Sequence, residues 1–260
     1  MQRDHAATNK ESGVDEEFVN RLRKLGQADR HQEYLETLHK ALEQVVLNES
    51  DEPLLHLREH LDPRIVVDLA KLPIELTEED HRSRLYLRSG IIERLNRVQS
   101  SLPDGFRLCV RDPLRAKDII WKLYHAYMEN AIKDQGVDVR EADLYVRNIL
   151  ALPDDPVTPG HMTGGAVDVV LLHADGSRAP MVIDYSIIPR KEQMFTDCPR
   201  LPERVVYHRE LLKKHMEQEG FLNYFREYWH FSFGDSYWAV RQKEKIACYG
   251  IPQDHHFPHN

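Results

Sequence analysis

The sequence has 260 residues, of which 41% are hydrophobic and 30% are charged, and its formal net charge is -8. This length and composition allow one large domain, or a domain with an appendage, around a sizeable core. The acidic balance argues against a nucleic-acid-binding protein, which usually presents a basic face. The cysteines number three and lie far apart, which excludes a disulfide framework or a thiolate zinc site, and we expect them to be reduced.

Targeting and membrane segments are not evident in the sequence. Residues 1–13 are polar and contain no apolar run of the kind found in a secretory signal. No uncharged stretch approaches the roughly 20 residues that cross a bilayer. We therefore expect a soluble, cytoplasmic protein that binds neither membranes nor nucleic acid, with its oligomeric state left open.

The first 55 residues are predicted to form an N-terminal helical extension. Residues 1–14 are polar and are expected to be disordered. Apolar side chains then recur at helical spacing over residues 15–47, with Gly26 dividing two helices, and residues 48–53 form a linker. The extension either packs on the main domain or contacts a partner. Packing is favoured because an amphipathic stripe usually faces a core.

Residues 56–260 predict a main domain in which strands and helices are interleaved without a regular βαβ order. The predicted strands cover residues 64–69, 106–110, 166–173, 181–188 and 227–233. The predicted helices cover residues 83–102, 115–133 and 202–219, and Gly220 is suited to the C-cap of the last helix. This order of elements is typical of an α+β domain.

The first segment that carries chemistry is residues 160–168, with the sequence GHMTGGAVD. His161 lies in a glycine-containing turn, and Asp168 lies inside the apolar strand that follows. The paired glycines allow the backbone to turn tightly, so that both side chains can point to one place. A carboxylate in an apolar strand needs a charged partner or several hydrogen bonds. A metal would supply the former, and the alternative is a hydrogen-bonded aspartate beside a surface histidine.

The second such segment is residues 227–231, with the sequence EYWHF. It places Glu227 and His230 among aromatic side chains that would exclude water. In a regular strand these two residues would face opposite sides, so they reach one site only if a bulge or twist intervenes.

Together the two segments supply His161, Asp168 and His230 as three N/O ligands, with Glu227 as a nearby carboxylate. Three such ligands with one open position are the pattern of a catalytic zinc ion. The absence of cysteine ligands favours a catalytic over a structural role, although N/O ligands also suit other divalent metals.

The order of these motifs resembles the D-alanyl-D-alanine dipeptidase family, which belongs to the LAS-type zinc D,D-peptidases. The shared elements are H-x(6)-D ending in G-x-A-x-D, then E-x-W-H some sixty residues later. A D-x-x-R segment, read here from Asp112 to Arg115, comes before both, and GDSYWA and YG follow at residues 234–239 and 249–250. The resemblance spans roughly residues 60 to 250 and leaves the N-terminal helices unexplained.

The resemblance implies a fold and a set of roles. The fold would be the LAS (hedgehog/D,D-peptidase) type, with a mixed or antiparallel sheet flanked by helices. One zinc ion per chain would be bound by His161, Asp168 and His230. Glu227 would act as the catalytic base towards the attacking water, and Arg115 would donate hydrogen bonds to the developing oxyanion. The partner would be a small peptide substrate.

The sequence departs from the family pattern in positions that concern the substrate. Pro159 replaces the usual serine two residues before the first histidine, and the arginine is not followed by the usual proline. The family's M-G-x-x-F-D stretch, whose aspartate holds the substrate ammonium, corresponds here to residues 180–185, PMVIDY. Asp184 is the candidate for that substrate-binding role.

Three functional hypotheses follow from the sequence. The first is a cytoplasmic dipeptidase acting on D-alanyl-D-alanine or a related small dipeptide. The second is a D,D-carboxypeptidase or cell-wall peptide hydrolase on the same scaffold, and the third is a peptidase-derived binding or regulatory protein. Outside the candidate site, His255, His256 and His259 form part of a polar tail, where we expect adventitious metal binding rather than a built site.

Overall fold

The computed structural model describes residues 37–38, 40–147, 149–155, 158–184, 186–188 and 190–258. The disorder predicted for residues 1–14 and most of the predicted N-terminal helices lie outside these residues. In the described part of the chain, no helix has both the length and the apolar composition that a membrane crossing requires.

The strands and helices of the described residues are as follows. The strands are β1 (Val46–Leu47), β2 (Leu54–His56), β3 (Val66–Val67), β4 (Tyr86–Arg88), β5 (Phe106–Asp112), β6 (Ala166–His173), β7 (Leu222–Asn223), β8 (His230–Ser232) and β9 (Ile246–Ala247). The helices are α1 (Leu57–His60), α2 (Glu78–Ser83), α3 (Ser89–Ser101), α4 (Lys117–Gln135), α5 (Val139–Arg147), α6 (Gly160–Thr163), α7 (Arg190–Met194), α8 (Glu203–Gln218) and α9 (Ser236–Gln242), and a 3-10 turn covers Asp254–His256.

A five-stranded sheet with the order β3-β5-β6-β8-β7 forms the centre of the domain. β3 pairs with β5 in parallel, and the other neighbours are antiparallel, so the sheet is mixed as expected. Alternate side chains of β6, including Val167 and Leu171, join residues of α3 and α8 such as Leu95 and Leu212 in the main core. Because side chains alternate along a strand, the residues between them, including Asp168, face the other side of the sheet.

Several predicted elements are confirmed. β6 covers the predicted residues, and β5 extends two residues beyond its predicted end. The predicted helix over 115–133 is α4, shifted by two residues, and the helix over 202–219 is α8, which begins after Pro202. Gly220 adopts φ +81° just beyond α8, as a helix-terminating glycine does.

The helix predicted over residues 83–102 is wrong in its first part. Tyr86–Arg88 form β4, antiparallel to β2, and α3 begins only at Ser89. Leu85 and Leu87 fit a helical stripe, but two apolar residues separated by one also fit a strand. The strand conformation buries Leu87 completely, together with Arg88.

The strands predicted over residues 181–188 and 227–233 are also corrected. The described residues of the first segment lie in turns and irregular structure. The backbone N–H and carbonyl of Ile183 bond to the Gln193 side chain, which takes the place of a neighbouring strand. In the second segment only His230–Ser232 is a strand, because a turn closed by the bond from His230 N to Glu227 O precedes it.

The described residues before residue 56 pack against the main domain. β1 pairs in parallel with β9. Leu38 and Leu42 also pack with Phe225 and Val240. The boundary predicted after residue 55 falls inside β2, and the division into an extension and a peptidase domain stays a prediction.

Arg88 is the polar group that joins this segment to the rest of the protein. Its side chain is fully buried and donates to the carbonyl oxygens of Thr163 (3.0 Å), Glu52 (2.7 Å) and Gly250 (3.1 Å). It also forms an ion pair with Glu49 at 3.2 Å. A buried guanidinium with this many acceptors satisfies groups that burial would otherwise leave unpaired.

We predict that Arg88→Ala lowers the free energy of unfolding by about 3 kcal/mol, because it leaves three carbonyl oxygens and a half-buried carboxylate without their donor. Urea denaturation followed by circular dichroism measures this loss. The matched control is Arg64→Ala, which removes an exposed pair with Asp62 and should leave the midpoint almost unchanged. Equal midpoints for the two variants would contradict the role given to Arg88.

Candidate metal centre

His161 is oriented by the segment that follows β5. It lies in α6, and its side chain is buried. Its Nδ1 is 2.8 Å from the carbonyl oxygen of Pro113, and its own carbonyl accepts from the backbone N–H of Arg115 at 3.0 Å. Because a carbonyl can only accept, Nδ1 carries the proton, and the lone pair of Nε2 points into the site.

The two glycines after α6 allow the chain to reverse immediately into β6. Gly164 has φ +70°, a conformation that residues with a side chain rarely adopt. At Gly165, a Cβ atom would lie 2.5 Å from the carbonyl oxygen of Phe233. The tight turn expected from the sequence is therefore present, and it brings His161 back over the strand that carries Asp168.

Asp168 and His230 are direct cross-strand partners on β6 and β8. The Asp168 Oδ1 is 3.0 Å from His230 Nδ1 and 3.3 Å from His161 Nε2, and the two imidazole nitrogens are 3.1 Å apart. The three residues expected to bind a metal therefore present one donor atom each at the corners of a small triangle.

The triangle has the size and chemistry of a zinc site. Two ligand atoms about 2.0–2.1 Å from a zinc ion at a tetrahedral angle lie roughly 3.3 Å from each other, close to the three distances found here. Two imidazoles and one carboxylate form a suitable donor set. The bond from His161 to Pro113 is the outer contact that usually fixes a ligating histidine.

The electrostatics of the triangle favour a bound cation. Burial by itself would raise the pKa of Asp168, but its contacts with His161 and His230 outweigh burial and lower it. Burial opposes protonation of His230, but the hydrogen bond with Asp168 outweighs this and raises its pKa. The centre thus stabilises positive charge, which a metal ion supplies without a proton.

Glu227 lies beside the triangle, with its Oε2 3.9 Å from His230 Nδ1. The expected strand would have turned the two residues apart, but Glu227 lies in the turn before β8, so both reach one site. Burial raises the pKa of its carboxyl, against the opposing effect of His230. A half-buried carboxylate with a raised pKa is a suitable proton acceptor.

Arg115 is held at the site by Asp112. β5 and β6 pair Val110 with Val169 and then Asp112 with Asp168, so β5 contains a bulge. The bulge turns Asp112 onto the face that carries Asp168. Asp112 forms an ion pair with the Arg115 side chain and also accepts from Arg84 at 3.2 Å.

Neighbouring carboxylates keep the guanidinium of Arg115 positively charged. Burial by itself would lower the pKa of Arg115, but the carboxylates of Asp112, Asp168 and Glu227 outweigh it and raise the pKa. A permanently charged guanidinium therefore lies within the electrostatic influence of both Asp168 and Glu227.

Asp184 is not among the residues that the structure groups at the metal centre. Its side chain is exposed, and its carboxylate accepts from the backbone N–H of Ser186 at 2.8 Å. This local contact lowers the pKa of Asp184. The substrate-binding role expected for Asp184 therefore rests on the sequence motif alone.

Two supporting residues had no role in the sequence reasoning. Arg84 had no motif to mark it, whereas Asp235 belongs to the GDSYWA segment. Asp235 is buried, caps α9 through the N–H of Trp238 at 2.7 Å, and approaches Gly160 so closely that a Cβ there would lie 2.6 Å from its Oδ2. This close approach leaves no room for a side chain at residue 160, where the helix that carries His161 begins.

Comparison with known proteins supports the relationship that the motifs suggested. No protein-family model matches the chain. A curated protein of Synechocystis sp. (strain ATCC 27184 / PCC 6803 / Kazusa), named D-alanyl-D-alanine dipeptidase, is 30% identical to it over 201 residues. The similarity covers 65% of this chain and 80% of that relative. The chain belongs to the D-alanyl-D-alanine dipeptidase family.

Proposed function

We propose that this protein is a zinc-dependent dipeptidase that hydrolyses D-alanyl-D-alanine or a related small dipeptide. The observation that carries the proposal is the triangle of His161, Asp168 and His230, with donor atoms 3.0–3.3 Å apart. Membership of the dipeptidase family supports the substrate class, and the mixed sheet flanked by helices is compatible with a LAS-type fold.

In this proposal His161, Asp168 and His230 hold the metal through two imidazole nitrogens and a carboxylate oxygen. Held by these residues, a zinc ion would supply Lewis-acid chemistry at the scissile carbonyl and would lower the pKa of water in the site. The outer contacts of the ligands, from Pro113 to His161 and across the β6–β8 pair, keep the donor atoms in place before the substrate arrives.

Glu227 is the proposed general base. Its carboxylate accepts the proton of the attacking water and later delivers it to the leaving amine. Its position next to His230 but outside the triangle leaves both oxygens free of the ligand set. The raised pKa caused by burial makes proton uptake more favourable than for an exposed glutamate.

Arg115 is the proposed oxyanion donor. Its guanidinium carries a fixed charge and several N–H groups, and the pair with Asp112 uses only part of this donor capacity. A preorganised donor of this kind stabilises the charge that develops on the carbonyl oxygen as the peptide is attacked. Asp184 remains the proposed contact for the substrate ammonium, on the strength of its motif.

The experiment that tests the function is amino-acid release by the zinc-loaded protein from a panel of D,D-, L,D- and L,L-dipeptides, with Glu227→Gln alongside. We expect release from D-alanyl-D-alanine to fall at least 100-fold in the variant, because no base remains to take up the proton. The zinc content should be unchanged, because Glu227 is not a ligand.

The other outcomes identify the competing hypotheses. Release only from other dipeptides would support the proposed mechanism but would identify a different dipeptide as the substrate. Activity on longer wall-derived peptides alone would favour a carboxypeptidase or wall hydrolase. Bound zinc without turnover on any of these peptides would contradict the proposal and favour a binding or regulatory protein.

We further predict that Arg115→Lys lowers kcat by about 10²–10³-fold with a smaller change in KM, because the lost hydrogen bonds act mainly in the transition state. Steady-state kinetics on the best dipeptide of the panel measure both constants. Arg111→Lys is the matched control, since Arg111 lies close by in β5 but pairs with Asp68. A kcat close to that of the unmodified protein for Arg115→Lys would contradict the oxyanion role.

A further inference from the structure

A second cluster of side chains that can ligate a metal lies where the segment after β1 meets the segment near the C-terminus. Asp51 belongs to the segment after β1, and His255 and His256 form part of the 3-10 turn near the C-terminus. The Asp51 Oδ1 is 3.5 Å from His255 Nε2 and 3.8 Å from His256 Nε2. The two imidazole rings are stacked, with their centroids 4.0 Å apart.

His256 is buried in a way that the polar tail did not predict. Its side chain is 0% exposed, whereas those of His255 and Asp51 are 60% and 76% exposed. Within the described part of the chain, its buried Nε2 has no hydrogen-bond partner. A buried polar atom without a partner costs free energy, so its presence in a folded protein requires an explanation.

Two carboxylate oxygens lie close to this nitrogen, but both are too far away for a hydrogen bond. Glu49 Oε1 is 3.8 Å from His256 Nε2, the same distance as Asp51 Oδ1. Oε1 itself is buried without a hydrogen bond, although Arg88 lies 3.2 Å from it and offsets part of its charge. The distance of 3.8 Å between nitrogen and oxygen is too long for a hydrogen bond and about 0.5 Å longer than the separation of two ligand atoms of a tetrahedral zinc ion.

We propose that Asp51, His255 and His256 form a second binding site for a divalent transition-metal ion, with Glu49 as the nearest further carboxylate. Two imidazoles with carboxylate oxygens suit zinc and its neighbours, whereas calcium and magnesium prefer oxygen ligands alone. A contraction of roughly 0.2–0.5 Å in the two distances from Asp51 Oδ1 to the histidine nitrogens brings them to the ligand separation of a tetrahedral zinc ion. This proposal does not rest on the proposed peptidase function.

The other nitrogen of His256 determines which tautomer the ring adopts. Its Nδ1 lies 2.8 Å from the backbone nitrogen of Gln253 and 3.3 Å from the Gln253 carbonyl oxygen. With the proton on Nδ1, the ring donates to that carbonyl and presents the Nε2 lone pair to the metal. Without a metal, Nδ1 accepts from the Gln253 N–H and the proton of the neutral ring lies on Nε2, so metal binding moves that proton from Nε2 to Nδ1.

A metal bound at this site would cross-link the segment that contains Asp51 to the segment that contains His255 and His256. Asp51 and Glu49 lie in the segment that Arg88 binds, and Arg88 also bonds to Thr163 in the helix that carries His161. A metal that ties His255 and His256 to this segment therefore stabilises the packing beneath the catalytic candidates. An ion that binds only the folded state raises the stability of that state.

The test is a zinc titration of the full chain without a histidine tag, compared with the double variant Asp51→Asn, His255→Ala. Asparagine tolerates the left-handed conformation of residue 51, where φ is +57°, and both side chains are exposed, so the fold should persist. His81→Ala removes another exposed histidine, on α2, and serves as the control.

We expect the double variant to bind one zinc equivalent fewer than the unmodified chain and to show a smaller zinc-induced rise in Tm. The control should match the unmodified chain in both respects. The measured quantity is the difference in zinc stoichiometry between the double variant and the unmodified chain. It can therefore be determined even if His161, Asp168 and His230 bind no zinc. Equal stoichiometry in all three proteins, or an equal loss in His81→Ala, would overturn the proposal.

Discussion

The register between β6 and β8 is the constraint on which the candidate site depends. It sets Asp168 directly opposite His230 on the face of the sheet that looks away from the main core. A shift of β8 by one residue would turn His230 to the other face of the sheet and away from Asp168. In the observed register, the Asp168 carboxylate lies beside two imidazoles rather than apolar side chains. Its contacts with these imidazoles offset the free-energy cost of burying its charge. The other side chains of the site are arranged around Asp168 and His230.

The remaining parts of the site are joined to that pair by backbone contacts. The bulge in β5 turns Asp112 to the same face, and Asp112 holds Arg115, whose N–H donates to the His161 carbonyl. The carbonyl of Pro113 in turn accepts from the His161 ring. One short segment therefore orients both a candidate ligand and the candidate oxyanion donor, so a small displacement there would disturb two functions at once.

The sequence was most informative where chemistry and local pattern coincide. The β6 strand follows from an unbroken apolar run, and the ligand triangle follows from motifs carried by a turn and two strands. Three features depend on long-range packing and had no local signal: β4 in place of a helix, the turn that redirects Glu227, and the burial of His256. A local pattern was overlooked at α2, where Thr77 and Asp80 form a capping box.

The most direct test of the central claim is a crystal structure of the zinc-soaked protein with anomalous diffraction collected at the zinc edge. We expect a peak about 2.0–2.2 Å from His161 Nε2, His230 Nδ1 and the Asp168 carboxylate, with Glu227 outside the ligand set. No peak inside that triangle, or a peak there with Glu227 as a ligand in place of one of the three, would contradict it.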